Sequence, residues 1–179
     1  MPILTYKLVL SQDEILYSWH RIKEQNMAWA YAYMRAQDDL TDEEVLHIYD
    51  NKLILPFGFY VDNQLAGFAE VSGYNLQSRT IKVSPCLWRE YFHLGKELFI
   101  GGSLFCLDNL DGACCVGFTP KPNRHMLDIL NVCGYNRIAE LPEACWYVRK
   151  QNFTSCVISV ATRQSLLKAR KRLEQALSA

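Results

Sequence analysis

Apolar and polar positions along the chain change period several times, and each change marks an element. Ile3 to Leu10 reads as a first strand. Ser11-Gln-Asp-Glu14 follows as a capping box, whose hydroxyl and carboxylate satisfy two otherwise orphaned N–H groups and start a helix. Ile15, Leu16, Trp19 and Ile22 mark its buried stripe, up to a break near Gln25-Asn26. Met27 to Ala36 is a second apolar stretch at helical spacing, unusually aromatic with Trp29, Tyr31 and Tyr33. Thr41-Asp-Glu-Glu44 is another capping box and opens a short helix through Val45, Ile48 and Tyr49.

The period then shortens. Leu53 to Val61 and Leu65 to Val71 are apolar, β-branched or aromatic runs separated by Asp62-Asn63-Gln64, a hairpin signal. Arg79 to Val83 is a further strand, ended by Pro85. Phe92 to Leu107 is helical, with Leu94, Leu98, Phe99 and Leu104, although Gly101-Gly102 weakens it by about 1 kcal/mol per glycine.

The stretch that organises the chain runs from Gly112 to Tyr135. Ala113 to Phe118 is an apolar run too short for a core helix and suited to a buried strand. Pro120 and Pro122 stop it, and Asn123 is placed as an N-cap. Met126, Leu127, Ile129, Leu130 and Cys133 then recur at helical spacing until Gly134 supplies a C-terminal stop. A helix start beside a strand end offers unpaired N–H groups and the positive pole of the peptide dipoles, a seat for a phosphate or a carbonyl. A plain strand-to-helix connection carries the same pattern. Ile138 to Val148 is strand material interrupted by Leu141-Pro142-Glu143, and Phe153 to Val160 is one more strand. A last helix begins at Thr162, with Leu166, Leu167, Arg170, Leu173 and Leu177 along a stripe and Arg163, Lys168, Arg170, Lys171 and Arg172 along a basic face.

This order implies an α/β (α+β) fold with a mixed sheet covered on both faces. A single domain over residues 1–160 and a basic amphipathic helix over 161–179 is the expected division. Lys and Arg number 19 and so do Asp and Glu, which implies neither a polyanionic partner nor an anionic membrane. No apolar stretch approaches the roughly 20 residues that span a bilayer, and the N-terminal residues lack the form of a signal peptide, so a cytoplasmic protein is expected. Seven cysteines, an odd number without Cys-x-x-Cys or Cys/His spacing, read as small buried hydrophobes in a reducing compartment and predict no metal.

Asn123 and, eleven positions on, Gly134 followed by an aromatic, all after a buried strand, resemble the C-terminal half of the GCN5-related N-acetyltransferase (GNAT) superfamily. The resemblance covers roughly Leu4 to Val148, leaving the final strand and basic helix outside the common core. It implies a GNAT-like mixed, mostly antiparallel central sheet with helices on both faces, acetyl-CoA as cofactor, and transfer of an acetyl group to an amine. It also implies a V-shaped opening in the sheet with Asn123 on one wall. The family's phosphate-binding Gln/Arg-x-x-Gly-x-Gly/Ala falls on Glu90, His93 and Gly95, so an acid and a Cβ stand where the motif has other residues. Arg89 and Lys96 are the side chains placed to compensate. The cofactor-binding set implied is therefore Val83, Arg89, His93, Gly95, Lys96 and Asn123.

For catalysis, Glu70 in mid-strand is the candidate base, since a charged side chain in an apolar strand either faces solvent or points into a cleft. The family's general-acid Tyr, seven positions after the Asn, is Leu130 here. Tyr135 and Tyr91 are the nearest alternatives, although Tyr135 also fits as the aromatic that closes the helix. Cys86 lacks an identifiable base. The degenerate motif leaves open a second reading: a catalytically inactive GNAT-like protein acting by protein binding. The divergent loop is similar to proteins of tailed bacteriophages, one group of which is labelled head-assembly proteins, so a host cytoplasm is the matching location. The terminal helix could also carry a protein partner or homo-oligomer, and the neutral charge argues against nucleic acid.

Overall fold

The computed structural model describes residues 2–25, 27, 40–50, 53–75, 77–147 and 152–178. The aromatic stretch with Trp29, Tyr31 and Tyr33 lies outside them. In chain order the elements are β1 (Leu4–Leu8), α1 (Gln12–Glu24), α2 (Asp42–Asp50), β2 (Ile54–Val61), β3 (Gln64–Asn75), β4 (Thr80–Leu87), a 3₁₀ turn (Arg89–Leu94), α3 (Gly95–Asn109), β5 (Cys114–Pro120), α4 (Arg124–Val132), β6 (Asn136–Tyr147), β7 (Asn152–Thr162) and α5 (Arg163–Leu177). The strands form one seven-stranded sheet in the order β1-β2-β3-β4-β5-β7-β6. Ladders β1–β2, β2–β3, β5–β7 and β6–β7 are antiparallel, and β4–β5 is parallel. The fold is therefore mostly antiparallel α+β. No helix among the described residues is long and apolar enough to cross a membrane.

The chain divides into two compact units, the first comprising Met1–Gly73 and Ser84–Gly95, the second Tyr74–Val83 and Lys96–Ala179. In the first, both capping boxes form as the sequence dictates, Ser11 with Glu14 and Thr41 with Glu44. The β2–β3 turn is the two residues Asp62 and Asn63, both with positive φ (48° and 65°), the conformation whose twist suits a tight hairpin. Ile15, Trp19 and Ile22 of α1 join Val45 and Tyr49 of α2 in one core with Phe68, Cys86 and Trp88. Trp88 is fully buried, its indole N–H donating to Leu65 O (2.9 Å) and its backbone N–H to Ala66 O (2.9 Å). Glu14 accepts from Lys7 Nζ (2.7 Å), the Tyr60 hydroxyl (2.5 Å) and the Ser11 N–H (2.7 Å).

Pro85 does not end β4, which runs on to Leu87. A proline breaks a strand by withholding an N–H from a ladder. The ladder to β5 covers only Thr80–Lys82 against Cys114–Val116, so at Pro85 no bond to β5 is lost. The helix expected from Phe92 starts instead as the 3₁₀ turn, with the α-helix beginning at Gly95.

In the second unit α3 buries Leu98, Phe99, Ile100, Gly102, Ser103, Leu104, Cys106 and Leu107, so it is covered on nearly every side. Its buried glycine is tolerated because packing outweighs propensity. Asn123 caps α4, accepting from the Met126 N–H (3.3 Å), and Gly134 at φ +88° ends it. β7 enters the sheet between β5 and β6, pairing with both, while β6 slips register between Leu141 and Cys145 at Glu143, which has φ +50°. The last helix starts with Thr162 capping Ser165. Its inward face is Leu166 and Ala169, both buried, whereas Leu167, assigned to the buried stripe from sequence, is 48% exposed. Gly134 sets that docking: a Cβ there would stand 2.5 Å from Ser165 O and 3.2 Å from Ala169 Cβ.

Gly134→Ala should destabilise the protein by about 2–4 kcal/mol, from left-handed backbone strain plus overlap with the Ser165 carbonyl, measured as a drop in the urea midpoint. Burial tends to raise the Glu14 carboxyl, yet Lys7, Tyr60 and Ser11 outweigh it and hold the group at about 2 against an ordinary 4.5. A depressed folded-state value means stabilisation that is complete above the unfolded value and lost as pH falls through the folded one. Glu14→Gln should therefore cost about 1 kcal/mol at pH 7, and the gap to wild type should close between pH 4.5 and pH 2 in denaturant titrations.

Candidate functional site

β3 is buried along both faces from Ala66 to Val71, and Glu70 sits within that run, opposite Pro56 of β2. Its side chain is 0% exposed, so Glu70 is not on a solvated strand face. Among the described residues it is the only buried charged side chain. An ionised carboxylate removed from water costs several kcal/mol unless hydrogen bonds replace its hydration, so it persists only with partners. One is the Tyr49 hydroxyl, which donates to Glu70 Oε1 at 3.1 Å. Burial raises the Tyr49 phenol well above its ordinary value, and the charge and hydrogen bond of Glu70 raise it further. Tyr49 is thus a fixed donor, held edge-on to Phe68 with ring centroids 6.1 Å apart.

The segment after β4 is tied to the end of α1. Glu90 Oε1 accepts from Arg21 (2.6 Å) and Glu90 Oε2 from the Gln25 amide (3.0 Å). Arg89 donates its backbone N–H to Gln25 Oε1 (3.0 Å) and its guanidinium to Gln25 O (2.8 Å). Its own backbone N–H, opposed by partial burial and helped by Arg21 and Gln25, holds the Glu90 carboxyl below its usual range. The charge of Glu90 is therefore held in an internal clamp with Arg21 and Gln25. Sequence could not reveal that clamp, since Arg21 and Gln25 lie 69 and 65 positions from Glu90. His93 is exposed, and the Tyr91 hydroxyl donates to Gln64 Oε1 (3.3 Å).

Gly95 opens α3 at φ −59°, a value any residue adopts. A Cβ there would meet only Leu87 Cδ1, at 3.5 Å, an ordinary contact. Gly67 and Gly112, by contrast, would bring a Cβ within 2.6 Å and 2.3 Å of neighbouring atoms. Packing thus explains those two glycines but gives no reason for the one at this helix start. A group that must approach the backbone from outside does give one, and this fits a phosphate.

In the second unit Val83 is buried on β4 just past the last β4–β5 pair, Lys96 is exposed in the first turn of α3, and Asn123 caps α4. Cys133 Sγ contacts Lys96 O at 3.9 Å, fastening the end of α4 to that first turn, and burial pushes its thiol up to about 12. Tyr135 is 2% exposed. Its ring stacks on Phe99 at 5.3 Å, its hydroxyl shares a hydrogen bond with Ser103 Oγ (3.0 Å), and burial raises its phenol well above the ordinary value. Leu130, seven positions after Asn123, is buried. Cys86 lies in the core of the first unit. His20 and His47 pair with Asp42 and Asp50. No group of three or more metal-binding side chains occurs among the described residues.

The Vibrio cholerae spermidine N-acetyltransferase, solved in complex with CoA and spermine, aligns at TM-score 0.74 over 92% of this chain and 98% of its own, with 14% identity. The chain has the GNAT fold. Two further GNAT-fold neighbours extend the match. The Microcin C7 self-immunity acetyltransferase MccE, solved with acetyl-CoA and AMP, gives TM-score 0.70 over 88% of this chain and 92% of its own at 13% identity. The ribosomal-protein-S5-alanine acetyltransferase of Vibrio fischeri gives 0.66 over 90% and 96% at 9% identity. No protein-family model and no curated protein matches the sequence.

Gly95→Ala should leave the urea midpoint unchanged or raise it by up to about 1 kcal/mol of stability, because alanine favours the helix and meets no clash. A loss comparable to that expected for Gly134→Ala would show that internal packing requires this glycine.

Proposed function

We propose that the protein is an acyl-CoA-dependent N-acyltransferase that moves an acetyl group to an amine. The observation that carries this reading is the unexplained glycine at the head of α3 in a chain of GNAT fold. Lys96 adds a cation in the same turn, and the Arg21–Glu90 pair removes the charge that would repel a phosphate. Bound acetyl-CoA would supply an activated thioester carbonyl. Asn123 and Val83 are the remaining positions assigned to the cofactor.

On the acceptor side, Glu70 is the group assigned to take the proton of the amine, with Tyr49 fixing one carboxylate oxygen so that the other face of the group is oriented. Tyr135 is assigned no proton transfer in this reading, because its hydroxyl is spent on Ser103 within the core. The burial of Leu130 in the place of the family's acid favours a second reading, in which the fold retains the cofactor or a partner protein without turnover.

Thermal unfolding with acetyl-CoA decides first. A ligand at 100 times its dissociation constant stabilises by about 2.7 kcal/mol, and the expected result is a clear upward shift in Tm; no shift at millimolar cofactor removes the proposal. Turnover on a panel of primary amines separates the two readings, since a shift without turnover leaves the second. In an active protein Glu70→Gln should lower kcat about 10²–10⁴-fold while keeping the acetyl-CoA shift. Wild-type turnover in that variant would remove Glu70 from the mechanism.

A further inference from the structure

Within the second unit a groove of about 670 Å³ lies between the end of α4 and one face of α5, lined also by Gly134 and Asn136. Its size is that of an ordinary small-molecule site. On α5, Ser165, Lys168, Arg172 and Gln175 share the helical face turned into it, and Lys171 borders it, while Leu166 and Ala169 are the buried face. The groove exists because Gly134 lets the first turn of α5 approach the end of α4.

The cations of this groove differ from the others of α5 in lacking carboxylate partners among the described residues. Arg163 pairs with Asp108 and Arg170 with Glu174, so α5 neutralises its cations elsewhere. Lys168, Lys171 and Arg172 form no ion pair among the described residues, and no carboxylate lines the groove. Two half-charges of opposite sign, from the start of α5 and the end of α4, offset each other there, so the three full charges set the potential. Asn131, Asn136 and Gln164 add side-chain amides that both donate and accept.

We propose that this groove binds a small, multiply phosphorylated ligand, the cations taking the phosphates and the amides the polar remainder. Three clustered cations match two or more negative charges, and the limited volume of the groove together with a net charge of +0 favours a small ligand over a nucleic-acid backbone. The proposal stands apart from the acyltransferase reading, since none of its residues is assigned to the cofactor.

Calorimetric titration of the full chain with ATP and with inorganic pyrophosphate tests it, with adenosine and a single-stranded oligonucleotide as comparisons. ATP and pyrophosphate should bind, adenosine should not, and affinity should fall as salt rises. The double variant Lys168→Gln/Arg172→Gln should weaken ATP by at least about tenfold while its Tm without ligand stays at the wild-type value, because both side chains are exposed. Because acetyl-CoA itself carries phosphates, its effect on Tm is also measured in the double variant, where the shift expected from the acyltransferase reading should remain. Absence of binding at millimolar ATP and pyrophosphate, unchanged affinity in the double variant, or tighter binding of the oligonucleotide than of ATP would each overturn it. A chain that ignores acetyl-CoA but binds ATP through Lys168 and Arg172 keeps this groove and loses only the acyltransferase.

Discussion

Three residue pairs, Thr80–Lys82 against Cys114–Val116, join β4 to β5 in parallel, and the path of the chain around them follows from that contact. Parallel neighbours cannot be joined by a hairpin, so the chain must cross over before it can return to the sheet. It does so through the 3₁₀ turn and α3. That crossing puts a helix start a few residues beyond the carboxyl end of a strand, which is where open sheets with such connections gather their ligands. No close packing requires a glycine at Gly95, whereas Gly67 and Gly112 answer to packing. A topological demand and an unexplained residue thus meet at one point in the sequence.

Balanced formal charge conceals a segregated distribution. Around the first unit's α1, charges are consumed in pairs: Glu14 with Lys7, Glu90 with Arg21. These side chains are partly exposed, so each pair contributes little to stability by itself. Their value is positional, since Glu90 and Arg89 together fix the loop that follows β4. Along α5 the reverse holds, with paired cations on the outside and unpaired ones in a groove. Neither arrangement shows in a pI of about 6.9.

Local signals were legible wherever a single interaction decides the outcome. The caps at Ser11, Asn123 and Thr162 satisfy orphan N–H groups within three residues, and Asp62-Asn63 adopts the turn its strands need. Gly134 stops α4 as its position implied. Other features depend on partners far along the chain. The run of β3 is apolar on both faces, so alternation could not say which way Glu70 points, and its burial depends on α2. Pro85 reads as a strand end only if β4 must pair on that side throughout. Leu167 and Ala169 both fit an amphipathic stripe, and the choice between them was made by the backbone of Gly134, thirty-odd residues earlier. Asn123 and Gly134, which carried the resemblance, are both backbone devices, one capping α4 and the other ending it, and the fold to which they pointed is matched at 14% identity.

In the proposed acyl transfer a leucine at position 130 weighs less than the need for a base. A primary amine with an ordinary value of about 10.4 is neutral in fewer than one molecule per thousand at pH 7, so acyl transfer loses more than three orders of magnitude unless something accepts that proton. A departing thiolate, with an ordinary value of about 8.5, gains only one to two units of driving force from protonation at the same pH and can take its proton from water. The two needs are unequal, and the base is the greater. In the proposed acyl transfer Glu70, buried and held by the Tyr49 hydroxyl, is the group assigned to the greater need, and a leucine at position 130 leaves only the lesser one to water.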